Sequence, residues 1–156
     1  MTYVFDTSSL SQLKHFYPAV FKTIWTGLDN MVQSGALIST REVFNEIERG
    51  EPHPHVSQWL KARKQIFTIP TREELLFVAE IFKVPHFRSL IGERQRWAGT
   101  PVADPFVIAC AKRRRGTVVT EERLKPNAAK IPNVCEYFGI GCINLEQFMQ
   151  EQGWSF

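Results

Sequence analysis

The sequence predicts an α/β fold in which a central parallel β-sheet is flanked by helices on both faces. Three observations predict it. Short β-rich runs recur at "YVF" (3–5), "GALIS" (35–39), "QIFTIP" (65–70), "TVVT" (117–120) and "IGCINL" (140–145). Segments with helical spacing or helix start and stop signals separate these runs, which is the pattern of a sheet covered on both sides. No repeat, low-complexity stretch or long linker divides the 156 residues, so residues 1–156 form one domain, long enough to bury roughly two-thirds of its unfolded surface.

The elements follow in order. After the strand at 3–5, "SSLSQLKHF" begins with hydroxyl caps for a helix. From Ala19 to Val32, the residues Val20, Phe21, Ile24, Trp25, Leu28 and Val32 recur at helical spacing. Gly35 punctuates the chain before the second strand, and "TREVFNEIER" is a helix ended by Gly50. In "EPHPH" (51–55) each proline bars helix at the residue before it, giving an extended loop. "VSQWLKARK" resumes helix. Thr71 and Glu74 in "TREELLFVAEIF" form a capping box. "ADPFVIACAKRRRG" is a helix with Pro105 in its first turn and Gly116 past its end, and "IPNVCEYFG" is a short helix before the last strand.

Composition sets outer bounds. The net charge of +3 permits a polyanionic partner without demanding one. Cys110, Cys135 and Cys142 are odd in number, lack zinc spacing and sit among apolar neighbours, as free thiols of a reducing compartment do. The N-terminus lacks a basic segment of the signal-peptide kind. No apolar run approaches the ~20 residues that span a bilayer, so a cytoplasmic protein is expected.

In parallel α/β sheets, ligands bind beyond the carboxyl ends of the strands, which directs attention to the acids there. Asp6 directly follows the first strand and serves equally as a helix cap. With Val43, Phe44 and Ile47 facing the core, Glu46 lies about 107° from the centre of that stripe and Glu42 about 147° away. Glu46 therefore flanks the buried face, and Glu42 points to solvent. Asp104 precedes Pro105 at a helix start, where an N-cap would also be ionised. Glu121 and Glu122 follow "TVVT". Gathered on one edge, carboxylates about 5 Å apart repel by roughly 3 kcal/mol per pair at an effective dielectric near 20. Cations would relieve this, and all-oxygen ligation suits Mg²⁺ or Mn²⁺ rather than zinc.

The ordered segments "YVFDTSSL", "STREVFNEIE", "ADPFVIACA" and "VVTEE" resemble the PIN-domain ribonucleases, as in VapC-type toxins, and "KIPNVCEYFGIGCINLEQFM" resembles the DUF4411-type branch. The resemblance implies a PIN-like three-layer fold with an acidic metal pocket. It matches Asp6, Glu46, Asp104 and Glu122 to the four acids, Thr120 to the threonine of the last motif, and Ser8 to a small polar residue that orients a ligand or water. Glutamate at the fourth position departs from the usual aspartate, and Glu121 competes for the role. The implied activity is Mg²⁺- or Mn²⁺-dependent hydrolysis of RNA. The implied partners are RNA, an antitoxin protein and a second copy of the chain, with no membrane. A catalytically silent PIN module that binds RNA or protein is the alternative.

Basic residues are weaker signals. Lys112, Arg113, Arg114 and Arg115 end the Asp104 helix, which places them ~15 Å from that aspartate; there they complement the helix dipole or hold a distant phosphate. Arg94 and Arg96 beside Trp97 suit an unstacked base. Lys61, Arg63 and Lys64 are ambiguous. His53 and His55 alternate like metal ligands but sit between prolines in a mobile loop.

Overall fold

A computed structural model describes residues 1–91 and 102–155. Five strands form an all-parallel sheet: β1 (Tyr3–Phe5), β2 (Leu37–Thr40), β3 (Phe67–Thr68), β4 (Thr117–Val119) and β5 (Gly141–Ile143), in the order β3-β2-β1-β4-β5. The register places Tyr3 beside Leu37 on one side and Thr117 on the other. The chain winds outward from β1 to β3, then returns to start β4 against β1. That reversal leaves a crevice at the carboxyl ends of β1 and β4, the position where open parallel sheets place ligands.

Eight helices connect these strands among the described residues: α1 (Thr7–Gln12), α2 (Lys22–Ser34), α3 (Arg41–Arg49), α4 (Pro54–Lys61), α5 (Arg72–Lys83), α6 (Asp104–Arg114), α7 (Ile131–Phe138) and α8 (Leu145–Glu151). The pleat divides them. Tyr3 and Phe5, two residues apart, both meet the Phe148 ring of α8 edge-on at 5.0 Å. Phe148 in turn meets Trp154, whose indole lies against Gly27 of α2. On the opposite face α6 crosses the sheet, packed between α5 and α7, where Phe77 meets Phe138. The result is the three-layer α/β architecture, a central parallel sheet flanked by helices, that the sequence predicts. None of the described helices is long and apolar enough to cross a membrane.

Several boundaries differ from expectation for local reasons. The cap of α1 is Asp6, as its place after the first strand allows, with its side chain accepting from Ser9 N–H; the hydroxyls of the "SS" pair do not cap. α2 begins at Lys22, three residues after Ala19, so Val20 is left 69% exposed. The "EPHPH" loop is shorter than its prolines suggest, because Pro54 occupies the first turn of α4, where its missing N–H has no helical partner to lose. His53 and His55 thus sit at a helix start, with His55 edge-on to Trp25. α4 also ends at Lys61 and not Lys64. α8 was not expected; Asn144 and Gln147 form its capping box. The Thr71–Glu74 box of α5 is as predicted.

Candidate metal centre

Asp6 leaves β1 in extended conformation and is 2% exposed. Its Oδ1 accepts from Ser9 N–H at 2.8 Å, and the Ser8 hydroxyl lies 2.9 Å from both carboxylate oxygens. The Thr120 hydroxyl lies 2.5 Å from Oδ2. Asp6 N–H itself donates to Val119 C=O at 3.1 Å, pinning the end of β1 to the end of β4. Burial raises the Asp6 carboxyl above its usual range, against the opposing pull of Thr120, Ser9 and Ser8. Asp6 therefore both caps α1 and presents a desolvated carboxylate to the crevice.

Asp104 is the first residue of α6 and not its N-cap, which is Ala103. Alanine cannot cap, so the helix start draws its acceptor from elsewhere: Ala103 N–H donates to Glu46 Oε2 at 3.2 Å. That bond carries Glu46 from α3 to the mouth of α6. Asp104 is pushed up to about 8, first by burial, then by the carboxylates of Glu122, Asp6 and Glu46, with Lys130 opposing. Glu122 is raised mainly by burial and also feels Asp6 and Glu46. Asp104 thus feels Asp6, Glu46 and Glu122, and Glu122 feels Asp6 and Glu46.

The adjacent glutamates diverge. Glu122 N–H donates to Thr120 Oγ1 at 3.1 Å, and Glu122 Oε2 accepts from Ile131 N–H at 3.1 Å, at the start of α7. Glu121 turns the other way: its N–H donates to Ser8 Oγ at 2.9 Å, while its Oε1 accepts from Leu145 N–H at 2.8 Å, at the start of α8. Ser8, expected to orient a ligand or water, is engaged by Asp6 and Glu121 N–H and lies 3.3 Å from the Thr120 hydroxyl.

Glu42 corrects the helical-wheel reading. It is 4% exposed, with Oε1 3.2 Å from Arg41 and Oε2 without a partner. The buried stripe of α3 runs through Glu42, Val43 and Ile47, because Phe44 is only half-buried, tilted against Phe67 of the short strand β3.

Arg113 and Arg114 lie at the amino edge of the sheet, since α6 runs back from Asp104 to the start of β4. Arg113 is 3.8 Å from Glu73 of α5. Arg94, Arg96 and Trp97 lie outside the described residues. Lys130, the cation nearest in effect to Asp104 and Glu122, was not singled out from the sequence; its one signal is its place before "IP" at a helix start. Ser9 was also missed. Fully buried, it donates to Val119 C=O at 2.8 Å and so ties α1 to β4.

The donor chemistry fits a hard divalent cation. All four groups offer oxygen, and burial, reinforced by the neighbouring carboxylates, pushes Asp104 up to about 8. Among the described residues no group of three or more His, Cys, Asp or Glu side chains is placed to hold a metal ion. Mg²⁺ does not require one, because it is commonly held by one or two carboxylates and keeps waters or substrate phosphates in its remaining positions.

Residues 3–156 match the family described as "Domain of unknown function (DUF4411)". No curated protein matches the chain. Among solved structures, the crystal structure of PAE2754 from Pyrobaculum aerophilum matches with 16% identity and a TM-score of 0.47, over 97% of this chain and 88% of that one.

Proposed function

The chain belongs to the DUF4411 family, and from that premise we propose that it is a PIN-domain, VapC-like endoribonuclease that depends on Mg²⁺ or Mn²⁺. The observation that carries the reading is Asp104, raised to about 8 beside three further carboxylates at the switch point of the sheet. So much desolvated negative charge is costly unless a proton or a cation offsets it.

Asp6 and Asp104 would hold the principal cation, with Glu46 and Glu122 completing the site. The bound ion would supply charge neutralisation for a phosphodiester and a nucleophilic water at neutral pH. The protein's own share is positioning. Ser8, Ser9 N–H and Thr120 fix the rotamer of Asp6. Ala103 N–H and Ile131 N–H orient Glu46 and Glu122. Lys130 offsets part of the cluster's charge and would face an incoming phosphate.

In this reading RNA is the substrate, and the protein is the cytoplasmic toxin of a toxin–antitoxin pair, held by its antitoxin and acting as a homodimer. A catalytically silent RNA- or protein-binding module is the second reading. It is favoured by the hydrogen bonds that already occupy Asp6, Glu46 and Glu122. Cleavage of cellular RNA with Mg²⁺ or Mn²⁺, compared with Asp6→Asn and Asp104→Asn, separates the two. Metal-dependent cleavage lost in both variants supports the nuclease; equal cleavage by all three proteins rules out this site. No cleavage by any supports the silent module.

A further inference from the structure

Beside the four acids, the segment after β4 turns away from Glu122 and borders a cleft of about 760 Å³. Its other wall is the 3₁₀ turn Pro85–Leu90 at the end of α5, and its floor is α7. The volume falls in the range of small-ligand sites, about 300–1,000 Å³. Two large apolar side chains stand exposed there, Tyr137 at 62% and Leu124 at 55%. The Tyr137 ring is braced from behind by Phe87, edge-on at 5.2 Å, and by Phe138 at 4.8 Å. An exposed aromatic ring fixed by two others is a ready stacking surface.

The rim is rigid and carries one lysine, Lys125, and one acid, the exposed Glu136. Arg123, Lys125 and Lys130 are exposed, and none forms an ion pair with a described residue. Asn133 holds the loop to α7 at both ends, donating to Lys125 C=O at 2.7 Å and accepting from Lys130 N–H at 3.3 Å. Asn127 sits in the left-handed region at φ 61°, which asparagine tolerates. The cleft is tied to the acidic site through the chain: Glu122 stands two residues before Leu124, and its Oε2 accepts from Ile131 N–H, the first of the helix that floors the cleft.

We propose that this cleft binds a nucleotide of single-stranded RNA next to the phosphodiester at the acidic site. Tyr137 stacks on the base, and Lys125 contacts the adjoining phosphate. The inference rests on the ribonuclease reading for its choice of ligand. An aromatic platform beside Lys125, with Arg123 and Lys130 exposed on the adjoining chain, matches an unstacked base and its phosphate better than the apolar face of a peptide helix.

The test uses Asp104→Asn protein, so that RNA is not cut, and fluorescence anisotropy of a labelled mixed-sequence oligoribonucleotide. Tyr137→Ala should weaken binding about tenfold and Tyr137→Trp should restore it, since stacking on an aromatic is sequence-tolerant. Lys125→Ala should lower the slope of log affinity against log salt by about 0.7. Unchanged affinity in both Tyr137→Ala and Lys125→Ala would overturn the proposal and leave the cleft to a polypeptide. An affinity loss with no restoration by Tyr137→Trp would overturn the stacking role. The two readings fail separately. Cleavage by the unsubstituted protein with unchanged binding in the variants refutes only the cleft, whereas lost binding without any cleavage refutes only the nuclease.

Discussion

The Thr120 hydroxyl, just past the end of β4, meets Asp6 Oδ2, just past the end of β1, at 2.5 Å. The same oxygen accepts from Glu122 N–H at 3.1 Å. One small side chain therefore sets two of the four acids, and does so across the topological switch of the sheet.

Thr120→Val keeps the shape and removes the hydroxyl. Asp6 loses a donor to its ionised form, so its carboxyl rises further, and Glu122 N–H loses its acceptor. Orienting groups of this kind are worth about 10–100-fold in metal affinity. We expect a loss of that size for Mn²⁺ in a calorimetric titration, with Thr120→Ser close to the native value. An unaltered affinity in Thr120→Val would show that Asp6 is held by Ser8 and Ser9 alone.

Asp104 makes metal-free stability depend on pH. Its folded-state pKa, about 8, stands above its ordinary value of 3.8. Between these values the folded protein binds more protons than the unfolded chain, so stability falls as pH rises through that window. A divalent cation takes the deprotonated form, so its affinity should grow toward pH 8 and level off above. Melting scans with chelator should show Tm falling from about pH 5 to about pH 8, with Mg²⁺ recovering more at the upper end. A flat Tm across that window, with or without Mg²⁺, would contradict the assignment. Asp104→Asn should flatten the profile and raise metal-free Tm at pH 8, while cleavage falls at least about a hundredfold.

How far the sequence revealed these groups depends on whether their roles are local. Asp6, Thr120 and Asp104 stand at element ends, where strand runs, caps and Pro105 mark the boundary, so their shared edge followed from chain order. Glu46 was legible from helical phase. Glu42 was misread by the same method, because the half-burial of Phe44 depends on how far the two-residue strand β3 extends. The cap that Ala103 lacks comes from Glu46, 57 residues earlier in the chain, and no periodicity encodes that contact. The extra helix α8 carried a legible capping pair, Asn144 and Gln147, that went unread behind the final strand.

Gly27 tests the packing that supports the β1 strand. A methyl group there would overlap the Trp154 indole, whose ring meets Phe148, itself against Tyr3 and Phe5. Gly27→Ala gains helix propensity but must displace that indole. Overpacking typically costs about 1–3 kcal/mol, so the net effect should be a loss of stability and a red shift of Trp154 emission as it enters water. A stabilised variant would mean that Trp154 swings aside freely.

Glu121 and Glu122 share a backbone turn but serve different helices, and substitution should separate their roles. Glu121 Oε1 accepts from Leu145 N–H, so it satisfies one free donor at the start of α8. Glu121→Ala should cost stability in the range of a lost cap, about 0.5–2 kcal/mol, and leave metal affinity near native. Glu122 also caps, through Ile131 N–H, but it is desolvated beside Asp104, Asp6 and Glu46. Removing its charge relieves repulsion while leaving only a neutral amide oxygen as the cap, so Glu122→Gln should change metal-free stability little. Mn²⁺ affinity and RNA cleavage should instead fall together. Paired melting and metal titrations on the two variants check this, and the reverse pattern would assign the fourth acid to Glu121.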